Sequence, residues 1–209
     1  MNSPATFNAE IDRLRRALAL PSAAASSDFD LVPDIRASLP AGRKLRPAAV
    51  LIAVQPSAKG AQVWLTQRPQ TMRHHPGQVA FPGGKVDATD ASPLAAALRE
   101  SHEEIGLPPE QVEVLGALPV HETITGFQVV PFVGLVPHGF TPIPETGEVE
   151  EVFAVPLGFL VNPDNHAQQA RIWNGQLRPY LTMPYGPHYI WGATARMIVS
   201  LSHAWGRVR

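Results

Sequence analysis

The chain has 209 residues, 44% of them hydrophobic, enough to bury a substantial core as one domain with extensions. Its net charge of −1 excludes a general electrostatic affinity for nucleic acid, so phosphate binding must be local. Cysteine is absent, which excludes disulfide frameworks, thiolate metal sites and cysteine nucleophiles, and no apolar run approaches the roughly 20 residues that span a bilayer.

The N-terminus carries Glu10 and Asp12 and has no apolar h-region, so it does not read as a signal or transit peptide, and a cytoplasmic location is expected. Residues 8–20, NAEIDRLRRALAL, place Ile11, Leu14 and Leu18 at helical spacing, predicting a short amphipathic helix capped by Asn8. It can pack on the domain or on a second subunit, which makes a homodimer possible. The small, polar run 21–27 reads as a linker. Residues 1–42 are thus expected as N-terminal helix and linker, and 43–209 as the main domain. Ala48 to Val54 is a short continuous apolar run, a buried strand; after a turn at 56–60, the alternation in 62–66 suggests its hairpin partner. Arg68, Arg73, His74 and His75 then arrive together in a loop punctuated by proline and glycine. Guanidinium groups there can bind phosphate oxygens bidentately.

Ser92 is a good N-cap, Pro93 suits the first helical position, and Gly106 followed by two prolines stops the helix. At about 100° per residue, Glu100, Glu103 and Glu104 fall within an arc of roughly 100°. Leu94, Leu98, Ser101 and Ile105 form the stripe expected to dock. An acidic helix face is usually just solvated. Here neutralisation is poor: Arg99 reaches Glu103 at i,i+4, whereas Glu100 and Glu104 have no cation at that spacing. Crowded carboxylates of this kind suit a hard divalent cation, Mg²⁺ or Mn²⁺, better than Zn²⁺.

Beyond the helix, 112–118 and 129–136 read as strands, with Pro131 marking a bulge or an edge. The polar segment 121–127 lies between them as a loop or strand end, where Glu122 is a possible extra acid for water activation. Glu148 to Leu157 alternates acids with apolar residues. The tail carries aromatic strands and then a closing helix around Ala193 to Leu201. Strands flanking one central helix, with a late C-terminal helix, imply an α+β layer arrangement.

The run Arg99-Glu100-Ser101-His102-Glu103-Glu104-Ile105-Gly106-Leu107 resembles the second half of the Nudix box of pyrophosphohydrolases. Its first half is shifted: Gly84 and Asp90 each stand one residue earlier than the general signature places them, as a single inserted residue before the helix would produce. Ser101 replaces the usual aliphatic or small apolar residue. Leu65-Thr66-Gln67-Arg68 and Arg73 to Gly84 resemble the extra motif of the coenzyme A pyrophosphatase branch, which is also similar in its longer box. Ile190 to Ala195 resembles the end of that branch.

The resemblance implies a Nudix-type α/β/α sandwich with a mixed sheet. It also implies metal-dependent hydrolysis of the diphosphate in coenzyme A or acyl-CoA, giving 3′,5′-ADP and 4′-phosphopantetheine or its acyl form. Glu100, Glu103 and Glu104 would hold Mg²⁺ or Mn²⁺ and, with Arg99, form the catalytic set; which acid serves as general base stays open, with Glu103 the first choice. Arg68, Arg73, His75, Gln78, Gly83 and Gly84 would meet the substrate. Glu148 and Glu151 are candidates for a further acid near the metals. The expected partner is a small nucleotide-derived molecule, not nucleic acid or membrane. The alternatives are a Nudix hydrolase of ADP-ribose or a dinucleotide polyphosphate, and a non-catalytic nucleotide-binding module.

Overall fold

A computed structural model describes residues 4–21, 23–37, 39–40, 42–72, 75–173 and 175–208. The elements begin with α1 (Pro4–Ala19), β1 (Ser26–Ser27), α2 (Pro33–Ala37), β2 (Arg46–Ser57), β3 (Gly60–Gln67), β4 (Val79–Ala80), β5 (Gly83–Lys85) and α3 (Pro93–Ile105). They continue with β6 (Glu113–Ala117), β7 (His121–Glu122), β8 (Phe127–Leu135), β9 (Glu151–Pro156), α4 (Leu157–Val161), β10 (Ala167–Trp173), β11 (Gln176–Tyr185), β12 (His188–Trp191) and α5 (Gly192–Gly206).

Strand β2 organises the larger sheet: it pairs parallel with β8 and antiparallel with β3 and β5. Side chains alternate across a pleat, so consecutive residues of β2 serve two different cores. Leu51 and Ala53 pack with Ile105 and Leu107 at the end of α3. Ile52 and Val54 join the opposite core, with Leu14 of α1, Leu157 of α4 and Ile198 of α5. The result is an α/β/α sandwich on a mixed sheet, an α+β arrangement. Strands β10, β11 and β12 form a separate antiparallel sheet whose Met183 and Ile190 are fully buried against the second core.

Several local expectations change. Helix α1 begins at Pro4, so Asn8 lies inside it and is not its cap; proline is well suited to a first turn. The 21–27 segment is not all linker, because Ser26–Ser27 pairs parallel with β7. His121 Nδ1 lies 2.9 Å from Ser26 Oγ and its Nε2 lies 3.1 Å from Asp28 Oδ1, which satisfies a fully buried imidazole and pins the segment. The turn expected at 56–60 is tighter, since β2 continues through Pro56 to Ser57 and β3 starts at Gly60. Pro131 marks neither bulge nor edge. It pairs with Val50 inside β8, and its carbonyl accepts Leu118 N–H at 2.8 Å where β6 gives way to β7, a break that needs no proline N–H. The irregularity lies in β6, between Val114 and Gly116.

Candidate active site

Helix α3 has the ends its sequence prescribes. Ser92 Oγ accepts Ala95 N–H at 3.1 Å, and Gly106, left-handed at φ 68°, donates to His102 O. Its docking face differs from the expected stripe: Ala96, Ala97, Ser101 and Ile105 are buried, whereas Leu94 and Leu98 are only partly so. Small alanines let the helix lie close to β2 and β5, and that closeness draws Glu104 inward. The three carboxylates share an arc yet differ in depth: the Glu103 side chain is 54% exposed, that of Glu100 18%, and Glu104 is 5% exposed as a residue.

Arg99 ties the preceding loop to this face. Its Nε and Nη2 donate to the two oxygens of Asp90, both at 3.0 Å, and Nη2 also donates to Lys85 O at 3.3 Å. Its Nη1 donates to Glu100 Oε1 at 3.0 Å and to Glu103 Oε2 at 2.9 Å. Glu100 therefore has a cation after all, from its sequence neighbour, which the i,i+4 rule does not count. Hydrogen bonding to Arg99 holds the Asp90 carboxyl below its usual range, and Asp90 in turn raises Arg99. Asp90 was legible only as a displaced acid of the motif; its two-pronged grip on Arg99 comes from the loop fold.

Glu104 is the most perturbed acid. Burial pushes its carboxyl up to about 7, with the charges of Glu100 and Glu148 adding to the rise; the Gly83 N–H donated to Oε2 at 3.0 Å and the nearby Arg68 oppose it. Burial likewise raises Glu100, Arg99 opposes, and Glu103 and Glu148 add to the rise. The two glycines of β5 make these approaches possible. A Cβ on Gly84 would stand 2.5 Å from Glu100 Cδ. One on Gly83, at φ 148°, would stand 2.4 Å from Ala49 O and 2.6 Å from Val50 Cα, preventing β5 from pairing with β2.

The loop after β3 closes on itself beside these acids, Arg68 N–H donating to Gln78 O at 3.0 Å and Gly77 N–H to Arg68 O at 3.1 Å. Arg68 is half-buried near Glu104, and its Nε has no hydrogen-bond partner among the described residues. Gln78 is half-buried, and His75 is exposed on a turn at φ 56°. Arg73 and His74 lie outside the described residues. Glu148 precedes β9, where its charge acts on both Glu100 and Glu104. Glu151 instead faces His188, whose Nε2 is 3.7 Å away. Glu122 is engaged with Arg36 and Arg43 at 3.6 and 3.9 Å.

Among the described residues, no three carboxylate or imidazole groups converge as a ready-made metal cage. The donor chemistry nevertheless fits a hard divalent ion: Glu100 and Glu104 are both desolvated, and each is raised by neighbouring negative charge. A cation relieves that repulsion, and Glu103 adds a solvent-facing oxygen donor beside them.

The NUDIX domain model matches residues 44–175 of this sequence. The chain belongs to the Nudix family. Two relatives, each named Uncharacterized Nudix hydrolase NudL, come from Enterobacter sp. strain 638 and Citrobacter koseri. They are 44% identical over 160 residues and 43% over 157, in each case 75% of this chain and 81% of the relative. Among solved structures, the Nudix hydrolase RenU from M. smegmatis is 28% identical across 55% of this chain and 73% of its own, with a TM-score of 0.47. By the domain match and the two relatives, the chain is a Nudix hydrolase.

Proposed function

We propose that this Nudix hydrolase cleaves the diphosphate of coenzyme A or its thioesters with Mg²⁺ or Mn²⁺, yielding 3′,5′-ADP and 4′-phosphopantetheine or its acyl form. The observation that carries the reading is Arg68, the arginine of the segment resembling the coenzyme A branch, lying within electrostatic reach of Glu104. A cationic loop against a carboxylate cluster is what a diphosphate needs at its two sides: guanidinium for free phosphate oxygens and acids for the counter-cation.

Hydrolysis adds one water across the phosphoanhydride, hydroxide to the attacked phosphorus and a proton to the leaving phosphate. When bound, Mg²⁺ or Mn²⁺ supplies positive charge to phosphoryl oxygens and Lewis acidity toward water. Glu100, Glu103 and Glu104 would hold it. Arg99 fixes Glu100 and Glu103 in place against Asp90, so the carboxylates are oriented before substrate arrives. Glu103, the most exposed of the three, is the candidate general base. Arg68, Arg73, His75 and Gln78 are proposed substrate contacts, with Gly83 and Gly84 keeping the backbone clear of side chains where phosphate approaches.

The test is mass spectrometry of products from coenzyme A, run beside ADP-ribose and a dinucleotide polyphosphate in Mg²⁺ and in Mn²⁺. Release of 3′,5′-ADP and 4′-phosphopantetheine at the highest kcat/KM is the expected result; preference for ADP-ribose overturns the substrate choice. Coenzyme A binding without cleavage of any of the three overturns catalysis.

A further inference from the structure

A cleft of about 470 Å³ opens between the segment Pro69-Gln70-Thr71 and the loop bearing Thr146, Val149 and Glu150. Its volume falls within the roughly 300–1,000 Å³ of small-molecule sites. Both walls are anchored in the carboxylate site. The first continues directly from Arg68, whose charge acts on Glu104. The second is tied to the end of α3, Glu145 N–H donating to Glu104 O at 3.0 Å and Ile143 N–H to Ile105 O at 3.0 Å. It also carries Glu148, whose charge reaches Glu100 and Glu104. Glu150 N–H donates to Gln67 O at 2.8 Å and so joins the two walls. A diphosphate lying on the carboxylates therefore has this cleft beside it, ready for one of its two substituents.

The lining decides which one. Among the described residues it contains proline, threonine, glutamine, glycine and valine, with Glu150 as the charged side chain. A phosphorylated nucleoside brings further negative charge and, among the described lining residues, meets the carboxylate of Glu150. An uncharged arm with amide groups meets the Gln70 amide, two threonine hydroxyls and apolar proline and valine surface. The Gln70 amide lies beside Gly77, where a Cβ would stand 2.2 Å from its Nε2, so glycine at that position leaves the amide its room. We propose that this cleft binds the pantetheine arm of the substrate. The assignment rests on the coenzyme A reading above.

Thr71 and Thr146 are both exposed, so bulk added there fills the cleft without entering a core. Wild type, Thr71→Trp and Thr146→Trp are compared by calorimetric titration with 4′-phosphopantetheine and, separately, with 3′,5′-ADP, while coenzyme A turnover is followed in parallel. The expected result is a rise of roughly tenfold or more in Kd for 4′-phosphopantetheine, with that for 3′,5′-ADP unchanged within about twofold. Turnover of coenzyme A by wild type with both Kd values unchanged, or with only 3′,5′-ADP weakened, overturns the cleft and leaves the function standing. Failure of wild type both to cleave coenzyme A and to bind 4′-phosphopantetheine overturns both.

Discussion

Arg99 holds Asp90 through two parallel hydrogen bonds of 3.0 Å while its remaining nitrogen reaches Glu100 and Glu103. One guanidinium thereby joins the loop after β5 to the acids of α3. A lysine keeps the charge but lacks the fork, so Arg99→Lys is expected to lower kcat roughly ten- to hundredfold with a smaller change in KM. Asp90→Asn weakens the same joint from the other end. Because the Asp90 pKa is depressed in the folded state, its contribution is fully present above its ordinary 3.8 and is lost as pH falls through the lower folded value. The difference in Tm between wild type and Asp90→Asn should stay constant above 3.8 and shrink as pH falls from there through the lower folded value. A difference that instead grows on acidification contradicts the pairing.

Glu104 behaves in the opposite sense. Its folded pKa, about 7, lies above the ordinary 4.5, so folding favours the protonated form. The penalty for the buried carboxylate appears as pH rises past 4.5 and is complete above about 7. In EDTA, wild type should lose stability across that window, on the order of 2 kcal/mol or more, and Glu104→Gln should flatten the profile. Added Mg²⁺ should restore wild type above neutrality and leave the variant little changed, while coenzyme A turnover by Glu104→Gln falls at least about a hundredfold. Parallel Tm–pH curves for the two proteins in EDTA would contradict the burial of this acid.

The two glycines of β5 separate stability from activity. At Gly83 a Cβ meets backbone, Ala49 O and Val50 Cα, and cannot be relieved by a rotamer change. Gly83→Ala is expected to cost about 2–4 kcal/mol in chemical denaturation, with activity lost as β5 leaves β2. At Gly84 the nearest atoms to the Cβ are those at the flexible end of Glu100. Gly84→Ala should fold with less than about 1 kcal/mol of loss, yet lower kcat at least tenfold by displacing that carboxylate. Equal effects of the two substitutions on Tm would argue against this division.

How far these features could be read beforehand depended on their range along the chain. Helix α3 was legible to its last residue because Ser92, Pro93 and Gly106 are local signals with local causes. The apolar run of β2 showed a buried strand, but not that Leu51 and Ile52 would enter cores on opposite faces. Depth was also hidden: helical angles put Glu103 and Glu104 on one arc, and only the close seating of Ala96 and Ala97 against the sheet makes one exposed and the other buried. Strand β1 escaped because two serines carry no periodicity, and its partner His121 is 95 residues away. The pairing of Glu122 with Arg36 and Arg43 was equally invisible, being made across the fold.

Helix α1, expected to pack on the domain or on a second subunit, joins the core of its own chain. Leu14 is fully buried, Ile11 is 5% exposed, and Glu10 Oε2 accepts Ala61 N–H at 2.6 Å. Leu14→Ala removes packing against β2, α4 and α5 on the face of the sheet opposite α3, and a loss of about 2–5 kcal/mol is expected from equilibrium unfolding in urea. The carboxylate site lies across the sheet, so below the unfolding transition kcat and KM for coenzyme A should stay within about twofold of wild type. Should α1 instead belong to a separately folding extension, the variant would unfold at the wild-type urea concentration, with any loss confined to an earlier, smaller transition.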